Sequence, residues 1–220
     1  MVALLVPTIV SSQENRVVDP EINERFKNPD VEAVVESLER DSRPVYKYRH
    51  AIVAALGLEA GDDVADVGAG SGFFSRLIAG EVGPDGQVYS VDIAQETIDH
   101  IEESAREEGI TNIEGILGGE RTTHLSPDSV DLVFISDTYH HFEYPADIMA
   151  SVAAALRPEG HLVVIDYERI RGVSSESRFE HMRAGKGTVT DEIKDAGFDL
   201  EKELPLVPQS YYLVFQKRAQ

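Results

Sequence analysis

The chain has 220 residues, of which 40 are acidic and 20 basic, and its formal net charge at pH 7 is -20. This length suits a single α/β domain with a sizeable core. Such an acidic chain is a poor match for nucleic acid, because phosphate binding needs clustered lysine and arginine. The absence of cysteine excludes disulfides, thiolate metal sites and cysteine nucleophiles.

Residues 1–27 are predicted to form an N-terminal arm, and residues 28–220 a single domain. Within the arm, the apolar run from Val2 to Val10 is interrupted by Pro7 and is too short to cross a bilayer. It also lacks the positively charged start of an export signal. We therefore expect no membrane attachment and a cytoplasmic location, with export after removal of a signal peptide as the alternative.

Two helices are expected ahead of the first strand. Asn28 and Pro29 look like an N-cap followed by a first-turn proline, and apolar residues then recur at helical spacing over positions 31–38. A second helix is predicted from Pro44 to Leu56, and Gly57 is expected to end it.

Short apolar segments then alternate with helical ones, which is typical of a parallel sheet. Predicted strands cover residues 64–67, 88–91, 113–117, 130–135 and 161–165, and predicted helices cover residues 73–79, 95–108 and 145–156, with a turn at 157–160. Thr190 is expected to cap a short helix that ends at Gly197. Two further strands, near 198–206 and 211–217, have no helix between them and predict a terminal hairpin.

Three glycines at alternate positions, Gly68, Gly70 and Gly72, follow the first predicted strand. They allow a sharp turn on which a ligand can lie directly against the backbone. Asp92 ends the second strand, where a carboxylate would bind a ribose diol. In the dinucleotide fingerprint G-x-G-x-x-G the third glycine falls at the position of Phe73, which disfavours a pyrophosphate ligand.

The glycine pattern, Asp92 and the order of elements resemble the class I S-adenosylmethionine (SAM) dependent methyltransferases over roughly residues 44–217. The resemblance implies an α/β fold with a Rossmann-like seven-stranded, mostly parallel sheet, an antiparallel C-terminal hairpin and helices on both faces. It also implies SAM as the cofactor and S-adenosylhomocysteine as the product. The candidate cofactor-binding residues are Asp66, Gly68, Ala69, Gly70, Gly72, Phe73, Asp92, Ile93, Glu120 and Asp137.

Two of these candidates have specific expected roles. Glu120 lies just after the third strand, where the family usually has an acidic or amide residue for adenine, although Gly118 and Gly119 before it depart from the common Gly-Asp-Ala pattern. Asp137, after the fourth strand, is a candidate ligand for the amino group of SAM.

Candidate catalytic residues follow the fourth predicted strand. His140 could accept a proton near neutral pH, because that is where an unperturbed imidazole titrates. Tyr139 could orient the acceptor, and His141 is a second candidate base. The alternative is that these histidines are structural, since paired histidines at this place are common in the superfamily.

A metal-assisted reaction is a further alternative. Asp137 and Asp166 end neighbouring strands, as in catechol-type methyltransferases, but Tyr167 stands where a third oxygen ligand would be expected. A hard cation prefers several oxygen ligands. The sequence therefore predicts no metal.

The segment 168–187 gathers cations that are out of proportion in so acidic a chain. We predict that it forms a mobile lid over the acceptor, in which Arg183 binds an anionic group through paired hydrogen bonds. Tyr167 is a second candidate for acceptor binding. The alternative is a solvated helix whose Glu176 and Glu180 neutralise the neighbouring cations.

The expected function is SAM-dependent methyl transfer to a small-molecule acceptor, with an anionic acceptor as the specific hypothesis. The lack of cysteine disfavours a thiol-dependent arsenite methyltransferase. One alternative is a SAM-binding regulatory or scaffold protein without turnover. Another is an NAD-type oxidoreductase. The oligomeric state is not predicted.

Overall fold

The computed structural model describes residues 16–219, so the apolar run 2–10 lies outside the described residues. The strands are β1 (Val64–Val67), β2 (Val88–Asp92), β3 (Ile113–Leu117), β4 (Val130–Ser136), β5 (Leu156–Tyr167), β6 (Phe198–Glu203) and β7 (Ser210–Lys217). The helices are α1 (Glu24–Lys27), α2 (Val31–Leu38), α3 (Pro44–Lys47), α4 (Arg49–Leu56), α5 (Phe73–Val82), α6 (Gln95–Glu107), α7 (Pro145–Ala155), α8 (Glu176–His181) and α9 (Lys186–Asp195), with 3₁₀ turns at Pro20–Ile22 and Tyr139–His141.

The seven strands form one sheet in the order β3-β2-β1-β4-β5-β7-β6. The first five run parallel to their neighbours, and β7 is antiparallel to both β5 and β6. The expected mostly parallel sheet with a terminal antiparallel hairpin is therefore confirmed. The chain order reverses between β1 and β4, and ligands of open α/β sheets bind at the carboxyl ends of strands at such a point.

Both faces of the sheet are buried, which explains why its central strands are apolar at successive positions. In β4, Val133 and Ile135 pack into the cluster that includes α7 and α9. Leu132 and Phe134, which alternate with these residues along the strand, pack into the cluster that includes α4 and α5 on the other face. Helices on both faces thus hold β1 and β4 in place beneath the site.

The predicted cap at Asn28 is wrong. Asn28 follows the last residue of α1, and Asp30 caps α2, with its carboxylate accepting a hydrogen bond from the Ala33 N–H at 3.2 Å. A carboxylate two residues downstream supplies the acceptor that the first turn of the helix needs. Thr190 is not a cap either, because it lies inside α9, whose N-cap is Gly185.

Two other boundaries differ from the expectation. The predicted helix Pro44–Leu56 is two helices separated at Tyr48, whose φ and ψ are -96° and 9°. The predicted turn 157–160 is part of β5. Val130 of β4 pairs with Leu156 of β5 and Leu132 pairs with His161, so the strand pairing continues on both sides of residues 157–160 through a shift in register. Glu159 accordingly has a positive φ of 64°.

Among residues 16–219, no helix combines the length and apolar character that crossing a membrane would require.

Candidate functional site

A cavity of about 730 Å³ lies beyond the carboxyl ends of β1 and β4, covered by residues of α1 to α3 and α8. Pockets of this size commonly hold a small-molecule ligand or cofactor. Twelve of the residues predicted from the sequence line it: Asp66, Gly68, Ala69, Gly70, Phe73, Asp92, Ile93, Glu120, Asp137, His140, His141 and Tyr167.

The glycine loop leaves no space for larger side chains. Gly68 has a φ of 78°, and a Cβ placed on it would lie 2.7 Å from the Cβ of Thr138. Gly70 has a φ of 56°, and its Cβ would lie 2.7 Å from Cδ1 of Leu38. Both positions need the left-handed conformation that glycine adopts without a steric penalty. The backbone itself therefore forms this wall of the cavity.

Asp92 closes the same wall. Its Oδ2 accepts a hydrogen bond from the Gly70 N–H at 2.9 Å, and Oδ1 accepts one from the Ala94 N–H at 3.3 Å. Burial raises the pKa of Asp92, and these backbone hydrogen bonds oppose the rise. Each carboxylate oxygen keeps a further lone pair with which it can accept another hydrogen bond.

Asp66 lies beneath the loop and is 2% exposed. Burial raises its pKa to about 7, although the Ser75 hydroxyl donates a hydrogen bond to Oδ2 at 2.7 Å, which works in the opposite direction. The charge of Asp92 raises the pKa further. Asp66 therefore keeps its proton to a higher pH than an exposed aspartate does.

Asp137 connects the end of β4 to the N-terminal helices. Its Oδ2 accepts a hydrogen bond from Nη2 of Arg43 at 2.6 Å, and the side chain of Asp137 is 3% exposed. Burial raises the pKa of Asp137, and the guanidinium of Arg43 opposes the rise. Oδ1 of Asp137 is buried and has no hydrogen-bond partner among the described residues. A buried acceptor without a partner is costly unless a ligand supplies the donor.

His140 and Asp166 form a buried pair. Nδ1 of His140 lies 2.9 Å from both carboxylate oxygens of Asp166. The backbone N–H groups of His140 and Tyr167 also donate to this carboxylate, at 3.1 and 2.8 Å. Because Nδ1 of His140 faces the carboxylate, Nδ1 is the donor in this pair and Nε2 is the nitrogen left for a ligand. This arrangement is chemically suited to accept a proton from a ligand.

His141 has a different partner. Its Nδ1 lies 2.9 Å from Oδ1 of Asn23, a residue of the N-terminal segment. Burial lowers the pKa of His141 to about 2, and the neighbouring His140 and His181 add to this effect. His141 is therefore neutral at physiological pH, and its ring also makes an edge contact with Phe26 at 4.8 Å between centroids.

The structure does not bring Gly72, Tyr139 or Arg183 to the cavity. The Tyr139 side chain lies in the core, where burial raises the pKa of its hydroxyl, which is 3.1 Å from Oε2 of Glu192. Arg183 makes a paired interaction with the same Glu192, at 2.8 and 2.6 Å. Gly72 precedes α5, and its Cβ would lie 2.9 Å from Ile101. These three residues pack behind the residues that line the cavity.

Among the cations of segment 168–187, Arg178 and His181 line the cavity. Arg178 stacks over the ring of Tyr167 at 4.1 Å and donates to Gln209 at 2.8 Å. Lys186 instead pairs with Glu168 and Glu203. The part of this segment that contributes to the cavity is therefore α8, which contains the Glu176 and Glu180 of the helix considered as the alternative to a lid.

The N-terminal segment contributes residues that the sequence reading missed. The Val17 N–H donates to the Glu143 carbonyl at 2.9 Å, and Lys27 pairs with Glu120 at 3.1 Å. Asn23 and Arg43 contact residues 118 and 94 positions away along the chain. No local motif marks Asn23 or Arg43, so only the folded chain identifies them.

The Asp137 and Asp166 carboxylates do not form an oxygen-rich metal site. Arg43 occupies one oxygen of Asp137, and His140 faces both oxygens of Asp166. A hard cation at this place would compete with a guanidinium and an imidazole for its ligands.

Comparisons with known proteins agree with this architecture. Residues 58–204 match the family model described as methyltransferase domain. An arsenite methyltransferase of Halobacterium salinarum is 27% identical over 160 residues, which cover 69% of this chain and 41% of that protein. A demethylmenaquinone methyltransferase of Listeria welshimeri is 26% identical over 120 residues, covering 54% of this chain and 51% of that protein. The aligned regions thus span about half or less of these relatives.

Solved structures share the fold at low identity. A SAM dependent methyltransferase from Aquifex aeolicus has a TM-score of 0.77 and 20% identity, covering 87% of this chain and 100% of that one. The [4+2]-cyclase SpnF has a TM-score of 0.69 and 12% identity, covering 79% of this chain and 81% of that one.

The sheet order and the position of the cavity at its switch point agree with the fold of the SAM dependent methyltransferase from Aquifex aeolicus. Because the family model matches residues 58–204, the chain belongs to the methyltransferase domain family.

Proposed function

We propose that this protein transfers a methyl group from SAM to a small-molecule acceptor bound in the cavity. The observation that carries the proposal is the composition of the cavity walls: the glycine loop and Asp92 on one side, and the His140–Asp166 pair on the other. A cavity of about 730 Å³ under α1 to α3 suits a cofactor and a small acceptor better than a macromolecule.

The residues present fit SAM. Gly68 and Gly70 line the cavity and carry no side chain, so their backbone can lie against a ligand. Asp92 offers acceptors for a diol, and the unpartnered Oδ1 of Asp137 offers one for an ammonium group. When bound, SAM supplies a methyl group activated by its sulfonium.

The protein's own contribution is to bind, orient and deprotonate the acceptor. Nε2 of His140 is the proton acceptor in this proposal, and Asp166 fixes the imidazole by facing Nδ1. Asp166 also stabilises the imidazolium once the proton has moved. Holding an acceptor in line can contribute about 7–11 kcal/mol to lowering the barrier.

The acceptor in this proposal carries an acidic group. Arg25, Arg40 and Arg178 line the cavity in a chain whose net charge is -20. Arg178 has donors beyond the one that Gln209 accepts, since a guanidinium has five N–H groups. Arsenite is a poor candidate, because the chain has no cysteine to supply thiolates.

Replacement of Asp92 tests the cofactor part of the proposal. Asp92→Ala should weaken SAM binding by about tenfold or more, because charge-assisted hydrogen bonds contribute about 1.5–3 kcal/mol each. Titration calorimetry measures the affinity, and Asp85→Ala, at an exposed position outside the cavity, is the matched control. Equal SAM affinity in both variants would remove Asp92 from the site, and a wild type that binds no SAM would refute the proposal.

Replacement of His140 tests the chemical step. Acidic and neutral small molecules are screened with mass-spectrometric detection of methylated product. With an acceptor identified, His140→Ala should lower turnover by about a hundredfold, within the range for a lost general base, while SAM affinity is retained. His100→Ala, outside the cavity, is the control. A variant with full turnover would contradict the assigned role, and so would one that has lost SAM affinity.

A further inference from the structure

Three imidazoles meet at the acceptor side of the cavity. The ring centroids of His140 and His141 are 4.0 Å apart, and the ring of His181 lies 5.0 and 5.1 Å from them. One ring nitrogen from each residue lies within 4.8 Å of the others. His140 and His141 belong to the turn after β4, and His181 ends α8, so two separate parts of the fold converge here.

The first imidazole is held through Nδ1, which leaves Nε2 available for a ligand. Nδ1 of His140 is held between the two oxygens of Asp166, which are themselves held by backbone N–H groups. A carboxylate on the far nitrogen of a histidine fixes the tautomer and increases the basicity of the near one. Metal-binding histidines almost always have such a partner.

Asn23 fixes the tautomer of the second imidazole, which is that of His141. The Asn23 amide group donates through Nδ2 to the His141 carbonyl at 2.8 Å and to Oε1 of Glu143 at 3.1 Å. These two acceptors orient the amide, so that Oδ1 of Asn23 faces Nδ1 of His141. An amide oxygen only accepts, so Nδ1 of His141 must carry the proton and Nε2 the lone pair.

The third imidazole can adjust. Among the described residues, the His181 ring makes edge contacts with the two other rings and no hydrogen bond. Zinc–nitrogen bonds of about 2.0–2.1 Å in tetrahedral geometry place ligand nitrogens about 3.3 Å apart. The three nitrogens must therefore move closer together when an ion binds, and the ring of His181, the last residue of the short helix α8, has no hydrogen bond that opposes this movement among the described residues.

Charged side chains of both signs lie close to the cluster. Asp166 contributes a carboxylate whose oxygens are 2.9 Å from Nδ1 of His140. The guanidinium of Arg25, which also lines the cavity, contributes a positive charge that acts on His141 and His181.

We propose that His140, His141 and His181 bind a divalent transition-metal ion of the zinc type, with a fourth coordination position open to the cavity. Three neutral nitrogen ligands favour zinc over magnesium or calcium, which prefer oxygen ligands. The proposal departs from the sequence-based expectation of no metal, which considered only Asp137 and Asp166.

The metal site gives the proposed function a second means of activating its acceptor. This role rests on the proposed function: a hydroxyl of the methyl acceptor that binds at the open position of the ion would have a lowered pKa. His140 would then be a ligand to the ion when the ion is bound, and a base when it is not. Binding of the ion itself does not depend on SAM.

Metal binding is measured on tag-free, chelator-treated protein without SAM. We expect Zn²⁺ to bind with one ion per chain in a calorimetric titration, and Co²⁺ to give the visible absorption of a four-coordinate ion. His181→Gln should weaken Zn²⁺ binding by about a hundredfold, whereas His50→Gln, at an exposed position outside the cavity, should not change it. A wild type that takes up no Zn²⁺, or equal affinities in both variants, would overturn the proposal.

Asn23 provides a second test that keeps all three ligands. Asn23→Ala should weaken Zn²⁺ binding by about tenfold to a hundredfold through loss of the tautomer-fixing acceptor. Equal affinity in Asn23→Ala and wild type would contradict the assigned geometry. SAM affinity should be unchanged in His181→Gln, so a failed metal site and a failed cofactor site give different results.

Discussion

The two walls of the cavity are built in different ways. The glycine wall, made of residues 66–72 and Asp92, comes from two adjacent strands, and its hydrogen bonds are made largely by backbone groups. The histidine wall, made of His140, His141 and His181 with Asp166, depends on side chains from distant parts of the chain. The glycine wall is therefore held by the sheet itself, while the histidine wall depends on how distant elements pack.

Within the glycine wall, ionisation of Asp66 should lower the stability of the folded protein the most. The pKa of Asp66 is raised by burial to about 7 from 3.8, so the charged form is disfavoured in the folded state. The free energy of unfolding should therefore fall by about 1.4 kcal/mol per pH unit as the pH rises from about 4 to about 7. The total loss is about 4 kcal/mol, complete above pH 7.

Asp66→Asn should remove this loss, because an amide does not ionise and its oxygen can still accept from Ser75. Urea unfolding at about pH 5 and about pH 8, without cofactor, measures the effect, and Asp85→Asn at an exposed position is the control. The stability gain of Asp66→Asn should be larger at the higher pH. A gain that is equal at both pH values would mean that Asp66 does not titrate in this range.

Gly68→Ala tests the rigidity of the glycine wall. The added Cβ would lie 2.7 Å from the Cβ of Thr138, and the φ of 78° is unfavourable for alanine. SAM affinity should fall by about a hundredfold, or about 2.7 kcal/mol.

Gly57→Ala separates the two causes, because Gly57 has a similar φ of 71° and no atom within 4 Å of an added Cβ. This variant should lose some stability and keep its SAM affinity by calorimetry. If Gly68→Ala also keeps its SAM affinity, the loop adjusts and the wall is not rigid.

Arg183→Ala has the smallest expected effect and tests the outer support of the histidine wall. Arg183 is paired with Glu192 and is 10% exposed, so its loss should reduce the free energy of unfolding by about 2 kcal/mol. Arg218→Ala breaks an exposed ion pair with Asp199 and should cost less than about 1 kcal/mol. Both are measured by urea unfolding.

Acceptor preference should be unchanged in Arg183→Ala, because the residue does not line the cavity. A variant that is as stable as wild type and loses its preference for acidic acceptors would restore Arg183 as an acceptor ligand, as the sequence alone predicted.

Much of the fold follows from local pattern. The alternation of apolar and helical segments predicts the strands of the parallel sheet within a few residues, and the absence of a helix between the last two strands predicts the hairpin. The predicted ends of helices and strands were wrong where two local signals compete. Asp30, not Asn28, caps α2, and the additional residues before His161 are absorbed in β5 by a register shift.

The sequence by itself determined the glycine wall, because the requirements there are local. A strand, a left-handed turn at Gly68 and a carboxylate at the end of the next strand are features of short segments, and parallel strands bring them together. The sequence indicated His140 and His141, but the tertiary structure alone decided how the histidine wall is assembled. Asn23 meets His141 across 118 positions, His181 reaches His140 from α8, and Arg183 turns to Glu192. Side-chain periodicity encodes which face of an element is buried, but the partner that a buried polar group finds depends on how distant elements pack.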